Sequence, residues 1–491
     1  MASYTADEVW DELVALNVER RTSYEVYYSY WMAQQDLAID PAELNSRFGE
    51  TLALFRDNLT RPVVESAESR VRVTEFGPNV GEDATALWNE LDMPKKSRRV
   101  HTQAMVKGDG FVIVLPDEEG NANIWPQISD SMSLLYSVVD DNIKVAGFKF
   151  WVDEIQRAGK QTSEDYVRVN LYFEDRIERY ISKNSTKAFN KEFSDYEIYD
   201  EEGAWETTHS VGEVPVFEFN VNYDLDESRG RSDLADATSF IDAINKTFLD
   251  MLTASEFTAA PQRWATGVEI PLDPKTGEPM EQFKSGSHKL WTAPNESASF
   301  GQFSPGDLTA YTSSIDTLVE HLAFVTRTPS YSLMKTVQYP SGEALRSAEA
   351  PLRSRVSDHQ IDFAPTWRDI MAAALKLNKI TVSDDELKDL MPRWLPVNAP
   401  YATTELLEEL TVYAETLGVP EEMLWRLAGF TAEEIEEMKE MREEEAVLGE
   451  EALAAASATA VLDGAQPEGG LAQDGLVPPP APAEPPIDAG F

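Results

Sequence analysis

The sequence predicts an α+β chain of more than one domain, on three observations. Apolar residues recur at helical spacing over the first 60 positions, the period shortens to two between about 100 and 220, and long helical periods return afterwards. The strand-like segments follow one another closely, which favours antiparallel pairing over βαβ units. At 491 residues the chain also exceeds the size at which one core stops growing, about 250–300 residues.

At the start, Val9, Leu13 and Leu16 form one helical stripe, and Leu44, Phe48, Leu52 and Phe55 form another. The tyrosine-rich run Tyr24 to Trp31 between them reads as an amphipathic helix packing its aromatic face, with a stacking platform for bases as the alternative. Phe111 to Leu115, followed by the turn Pro116-Asp-Glu-Glu-Gly120, opens the β region. In Tyr166 to Phe173, Val167, Val169, Leu171 and Phe173 alternate with Arg168 and Asn170, so one face is expected to be buried and the other wet. Gly147 to Val152 and Val214 to Phe219 add further strands.

A first rod is expected from Ser232, its N-cap, to about Phe257, with Asp233 and Asp236 favourably placed against the helix dipole. Leu234, Ala237, Ile241, Ile244, Phe248 and Leu252 form its apolar seam. A second rod starts at the capping sequence Ser304-Pro-Gly-Asp307, carries Leu308, Tyr311, Ile315, Leu318, Leu322 and Val325, and stops at Thr328-Pro329. Turns and short strands fill 259–303, and 330–340 reads as a loop. A third helix, from 341 to about 377, uses Leu345, Ala348, Leu352 and Val356 and should kink at Pro351 and Pro365. Residues 401–450 are helical and acidic, with 15 Glu against three Lys plus Arg, and the Ala/Pro-rich stretch from about 454 is expected to be disordered.

Composition excludes several chemistries. There is no cysteine, hence no disulfide, thiolate site or cysteine nucleophile. The first ten residues have neither a basic nor an apolar leader segment, and no apolar run approaches a membrane span. With 87 acids against 42 Lys plus Arg, the formal charge of −45 disfavours gripping nucleic acid over a broad surface. It is equally the mark of a solubility device, of adaptation to high salt, or of a surface past which DNA slides.

Catalytic patterns are weak. The five histidines, His101, His209, His288, His321 and His359, form no HExxH-type pair. Gly159-Lys160-Gln161-Thr162 resembles the end of a P-loop, but position 154 is Glu where the leading glycine belongs. Ser332-Leu-Met-Lys335 and Lys275-Thr-Gly277 occur in the reverse of the β-lactamase order. Asp140-Asp141 pairs two carboxylates, the basis for an alternative reading as an acidic cytoplasmic metal-dependent hydrolase. No cofactor is expected.

The order of parts, an α/β body, a rod, an excursion, a returning rod, a loop and a long helix, resembles the portal proteins of tailed bacteriophages, especially those of actinobacterial siphophages. The similarity is carried by Leu234-Ala-Asp-Ala, Asp242-Ala-Ile-Asn-Lys-Thr, Ala254-Ser-Glu-Phe and Pro261-Gln-Arg-Trp-Ala-Thr-Gly267. Thr326-Arg-Thr-Pro329 and Pro340-Ser-Gly-Glu-Ala-Leu345, with Tyr27-Tyr28 and Asn58 to Val73, extend it over most of 20–380. The resemblance implies a wing (1–231), two stem helices (232–258 and 304–328), a clip (259–303), a tunnel loop (329–340), a kinked spine helix (341–378), an acidic crown (379–453) and a tail (454–491).

It further implies a dodecameric ring at one vertex of the capsid, a non-enzymatic channel for double-stranded DNA in packaging and ejection. Its expected partners are the terminase large subunit, the head-tail connector or adaptor, and the major capsid and scaffolding proteins, with no membrane. The location is the virion, and the host cytoplasm during assembly. Lys335, with Gln338 and Tyr339, is the candidate for touching DNA, although an ordinary exposed lysine fits Lys335 equally. The seam residues Ile241, Ile244, Phe248, Leu318 and Leu322 are expected to need neighbouring subunits to cover them, which a heterologous interface closing into a ring would supply. Another capsid-interior structural protein remains an alternative.

Overall fold

The computed structural model describes residues 4–37, 56–78, 80–140, 143–155, 162–200, 203–223, 230–259, 263–267, 298–302, 307–334, 342–395 and 404–428, with 430, 435, 438–439 and 442. The stripe Leu44 to Phe55, the tail from 454, Asp141 and most of 259–303 lie outside the described residues, as do Lys335, Gln338 and Tyr339. The chain divides into two units, residues 1–401 and 402–491.

In the first unit, α1 (Ala6–Trp31) is followed by α2 (Thr60–Glu68), β1 (Val73–Phe76), α3 (Val80–Glu90) and α4 (Met93–Lys107). The β region then runs β2 (Asp109–Pro116), β3 (Ala122–Gln127), β4 (Met132–Tyr136), β5 (Lys144–Ile155), β6 (Glu164–Tyr172), β7 (Arg176–Ser182), β8 (Tyr196–Ile198), β9 (Glu206–Thr208) and β10 (Val216–Asn220). A six-stranded sheet has the order β4-β5-β6-β7-β8 with β9 on β7, and a three-stranded sheet has the order β10-β2-β3. Every pairing in these two sheets is antiparallel, as the short spacings predict.

The β6 alternation places Val167, Val169 and Leu171 in one core with Val9, Trp10 and Leu13 of α1. Its other face is drier than expected: Arg168 lies over Trp151 (5.1 Å) and Tyr199 (4.2 Å) and pairs with Asp153 at 3.0 Å. Strand β2 is covered on both faces. Val112 and Val114 enter the main core, whereas Phe111 and Ile113 pack with Tyr172, Ile177 and Val216 between the two sheets, which is why its sequence is an unbroken apolar run. At Gly147 the sheets come so close that a Cβ would sit 2.5 Å from Val216 Cγ2.

The two rods are α5 (Thr238–Ala259) and α6 (Thr309–Val325), continued at their far ends by the antiparallel pair β11 (Arg263–Thr266) and β12 (Ser299–Gln302). At the near end Phe240 stacks on His321 at 6.4 Å, so the rods run antiparallel. Ala237, Ile241, Ile244, Ile315, Val319 and Leu322 are buried together, with Phe248, Leu318, Tyr30 and Leu59 packed around them. Within the chain each rod covers part of the other's seam, while Phe248 and Leu318 are only partly buried and Val325 is exposed. The short helix α7 (Ser330–Leu333) follows the second rod.

The long helix α8 (Gly342–Leu377) is one continuous element through Pro351 and Pro365. Its Leu352, Val356, Phe363 and Trp367 are buried in the main core with residues of α2, α3, α4 and the three-stranded sheet. His101 is a core residue there, stacked on Phe363 at 4.7 Å and accepting the Trp367 indole N–H at 2.9 Å. Burial pushes its imidazole down to about 3, so it is neutral. After α8 come the short helix α9 (Asp384–Asp389) and β13 (Pro392–Trp394), which pairs antiparallel with β1.

The second unit contains α10 (Thr404–Leu417) and α11 (Glu421–Ala428), joined at Gly418, whose φ of +63° ends α10. Arg442 lies 5.0 Å over Trp425 and pairs with Glu421. Val412, Tyr413, Leu417, Met423, Leu427 and Phe430 are exposed on this acidic unit.

Candidate functional site at the root of the helix pair

The chain leaves the body for α5 and returns from α6 at one place, and a single guanidinium holds it. Arg355 of α8, with its side chain 3% exposed, donates to Asp233 Oδ2 (2.8 Å), the Val63 carbonyl of α2 (2.9 Å), the Thr326 carbonyl (2.8 Å) and Thr328 Oγ1 (3.2 Å). It thereby ties together four segments: α2, the approach to α5, the exit from α6 and its own helix. His359 Nε2, one turn further along α8, lies 3.0 Å from the same Asp233 oxygen, and Asn222 Nδ2 donates to the other at 2.9 Å. Burial pushes the Asp233 carboxyl up, but the Arg355 charge, with His359 and the hydrogen bonds, overcomes this and holds it well below the usual carboxylate range.

The first rod consequently starts later than expected. Helix α5 begins at Thr238, not at Ser232. Ser232 Oγ accepts from Leu234 N–H at 3.0 Å and donates to the Val106 carbonyl at 2.5 Å, while Asp233 N–H donates to the Met105 carbonyl at 2.9 Å. Ser232 therefore anchors a turn on the end of α4, and Asp233 is a buried ion-pair partner, not a residue facing the helix dipole. Just before it, Gly230 meets Gly108, where a Cβ would lie 2.1 Å from the Gly108 carbonyl oxygen. Gly230 N–H also donates to Asp109 Oδ1 at 2.8 Å.

Asp109 belongs to a second buried cluster that fixes α1. Tyr24 donates to Asp109, Arg20 pairs with Glu218 of β10, and Arg20 lies 4.0 Å from Asp109. Burial raises the Glu218 carboxyl to about 7, with Asp109 adding to the rise and Arg20 opposing it.

At the end of α6, Arg327 takes a left-handed conformation, φ +52°. Thr328 N–H bonds back to the Ala323 carbonyl (2.9 Å) and Arg327 N–H to the Phe324 carbonyl (3.2 Å), the Schellman pattern in which glycine is the favoured residue. The helix thus stops at Val325, ahead of the expected Thr328. Arg327 pairs instead with Asp358 of α8 at 2.8 Å. At the start of α6, Asp307 Oδ1 accepts from Thr309 N–H at 2.9 Å, so Asp307 caps the first turn, while Ser304 lies outside the described residues. Between the root ends of the two rods lies a cavity of about 540 Å³, whose lining includes Arg231, Asp233, Asp236, Val325, Arg327 and Arg355.

Of the sequence-derived seam residues, Ile241, Ile244 and Leu322 are fully buried, and Phe248 and Leu318 flank them. The residues missed are Asp233 in its true role, Arg355, His359 and Arg327. Their only signal is Thr326-Arg-Thr-Pro329, where an arginine stands at a helix end. Among the described residues no group of three or more His, Asp or Glu is placed to hold a metal ion, and no helix is long and apolar enough to cross a membrane.

The family described as phage portal protein, SPP1 Gp6-like, matches residues 58–447, a stretch that takes in the strands of the body, both rods and the long helix. The chain belongs to that family. This makes it a phage structural protein and not an enzyme. The portal-family chain is 27% identical over 258 residues to the portal protein of Mycobacterium phage D29, covering 50% of this chain and 53% of that protein. It is 25% identical over 308 residues to the portal protein of Mycobacterium phage L5, covering 58% and 63%. The match thus spans between half and two thirds of the length of these relatives. Two chains from necks of gene transfer agent particles are similar at 13% and 12% identity, with TM-scores of 0.42 and 0.44, covering 80% of this chain and 94% and 95% of theirs. Likeness at that level carries no argument.

Proposed function

We propose that this chain is the subunit of a dodecameric ring at one vertex of a phage capsid, the passage for double-stranded DNA in packaging and ejection. The observation that carries the reading is the family match over 58–447, which spans body, rods and long helix alike. In this reading the body is the wing, α5 and α6 are the stem, 259–303 the clip, 329–340 the tunnel loop, α8 the spine and the acidic helices the crown. Lys335, Gln338 and Tyr339 are the DNA-channel candidates. The terminase large subunit and the head-tail connector are the docking partners, with major capsid and scaffolding proteins around the ring, and assembly takes place in the host cytoplasm before the virion is complete.

The physics suits a passive gate. A formal charge of −45 lets DNA pass without being held, because too few cations are present to release its counterions. The buried Arg355 hub suits a part that transmits load, since it fixes the root end of each rod to the body. Negative-stain microscopy with mass determination tests the reading. Rings with a central hole and a mass near twelve times 54.9 kDa are expected; a monomer or dimer at every salt concentration overturns it.

A further inference from the structure

The chain carries 87 acids against 42 Lys plus Arg, yet the fifteen residues of α4 hold Lys95, Lys96, Arg98, Arg99 and Lys107 and no acid. Two of these cations are engaged within the body. Lys107 pairs with Asp130, and Lys96 Nζ lies 3.5 Å from Asn123 Oδ1, with the charge of Asp92 close by. The other three are exposed at positions 95, 98 and 99, with Thr102 a turn further on, so they share one side of the helix. Among the described residues neither Lys95 nor Arg99 has an ion-pair partner.

Arg98 is held differently. Its Nε donates to both oxygens of Glu68, at 3.0 Å each, and Glu68, the last residue of α2, has a side chain 3% exposed against 58% for Arg98. Burial raises the Glu68 carboxyl, and the charges of Arg98 and Arg72 oppose the rise. Because the contact is made through Nε, the two terminal nitrogens of the guanidinium have no partner among the described residues. A buried carboxylate thus sets the direction of an arginine fork that stands half out of the body, the geometry that suits a phosphate.

We propose that this side of α4 is a contact for the phosphate backbone of duplex DNA, with Lys95 and Arg99 as free cations, Arg98 as the oriented fork and Glu68 as its positioning residue. The inference rests on the DNA-passage reading and adds a place on the body where the duplex is touched. A chain of charge −45 can hold a polyanion only where it concentrates its few cations. An acidic segment of a second copy is the other polyanion within reach, and the face suits it less. Arginine serves both kinds of partner, but lysine is depleted at protein interfaces, and positions 95, 98, 99 and 102 bring no apolar anchor. Lysine, arginine and threonine are all side chains that meet phosphates.

The test is the anisotropy of a short dye-labelled duplex titrated with the full chain at several salt concentrations, with particle mass measured on the same samples. Three phosphate contacts predict that log affinity falls against log salt with a slope of about −2.7 for each contacting copy. Lys95→Gln with Arg99→Gln should reduce that slope by about 1.8 and weaken binding by about tenfold or more at roughly 0.1 M salt. Lys183→Gln with Lys187→Gln, which removes the same charge from exposed positions after β7, should change neither. Glu68→Gln takes away a negative charge and should still weaken binding, by about threefold, because Arg98 loses its orientation; tighter binding overturns the positioning role. Rings of wild type that ignore the duplex at low salt, an unchanged slope in the Lys95 and Arg99 variant, or an equal loss in the control variant overturns the proposal and leaves the ring reading standing. Loss of rings in the Lys95 and Arg99 variant with duplex binding kept overturns it too, and assigns the face to a second copy. Absence of rings for wild type overturns the ring reading itself.

Discussion

Replacing Arg355 should unlock the root of the rod pair, and the structure sets the size of the effect. Arg355→Met keeps the aliphatic stem but leaves Asp233 buried, 4% exposed, without its cation, and leaves the carbonyls of Val63 and Thr326 short of a donor. Breaking a buried pair by removing one partner costs about 3–5 kcal/mol, because the remaining charge has no water to turn to. The carbonyls retain a second lone pair, so the lower half of that range is the better expectation. Asp233→Asn strands Arg355 similarly and, with one oxygen replaced by a donating NH2, keeps an acceptor at only one of the positions that meet Asn222 and His359, and should cost about 2–4 kcal/mol. The double variant Arg355→Met with Asp233→Asn should lose clearly less than the sum, since neither charge is left alone. Urea unfolding followed by tryptophan fluorescence reads it, because Trp88 and Trp367 make an edge-to-face pair at 4.8 Å in the adjoining core. Additive losses in the double-mutant cycle, or a loss under about 1 kcal/mol for Arg355→Met, would refute the hub.

Three further outcomes follow from the geometry. Truncating the seam by Ile241→Ala or Leu322→Ala should each destabilise the chain by about 2–5 kcal/mol in the same unfolding assay, since both are fully buried. At φ +52°, Arg327→Gly should be more stable than Arg327→Ala by about 0.5–1 kcal/mol: both lose the half-exposed Asp358 pair, worth about 0–1 kcal/mol, and only glycine relieves the backbone. Glu218 has a folded pKa of about 7 against an unfolded value near 4.5. The folded state therefore holds the extra proton between those values, so this group's contribution is present below about pH 4.5 and is lost as pH rises through about 7. Glu218→Gln should flatten the melting temperature over that window, and an unchanged slope would show that another group carries it.

The parts of this fold that could be read in the sequence are those whose signal is local. The 3-4 spacing of Ile241, Ile244, Leu318 and Leu322 marks a buried seam whatever covers it, and the alternation Val167, Val169, Leu171 marks a half-covered strand. The root could not be read, because its meaning lies in separations of 122 residues, from Asp233 to Arg355, and 292, from Val63 to Arg355. Ser232-Asp233 has the chemistry of a helix start, and only the distant arginine converts the aspartate into an ion-pair partner and delays the helix to Thr238. Arg355 itself looks like any polar residue on a long helix.

At the seam, the residues are legible in the sequence but their partner is not. Two apolar stripes on consecutive rods suggest a demand for neighbouring subunits, yet antiparallel rods of one chain are each other's nearest apolar surface. Ala237, Ile241 and Ile244 meet Ile315, Val319 and Leu322 before any second chain is needed. Assembly has to be driven by what remains uncovered after the chain has folded on itself. At the root Phe324 stays exposed, whereas the half-exposed Arg231 and Arg327 are already paired with Asp236 and Asp358.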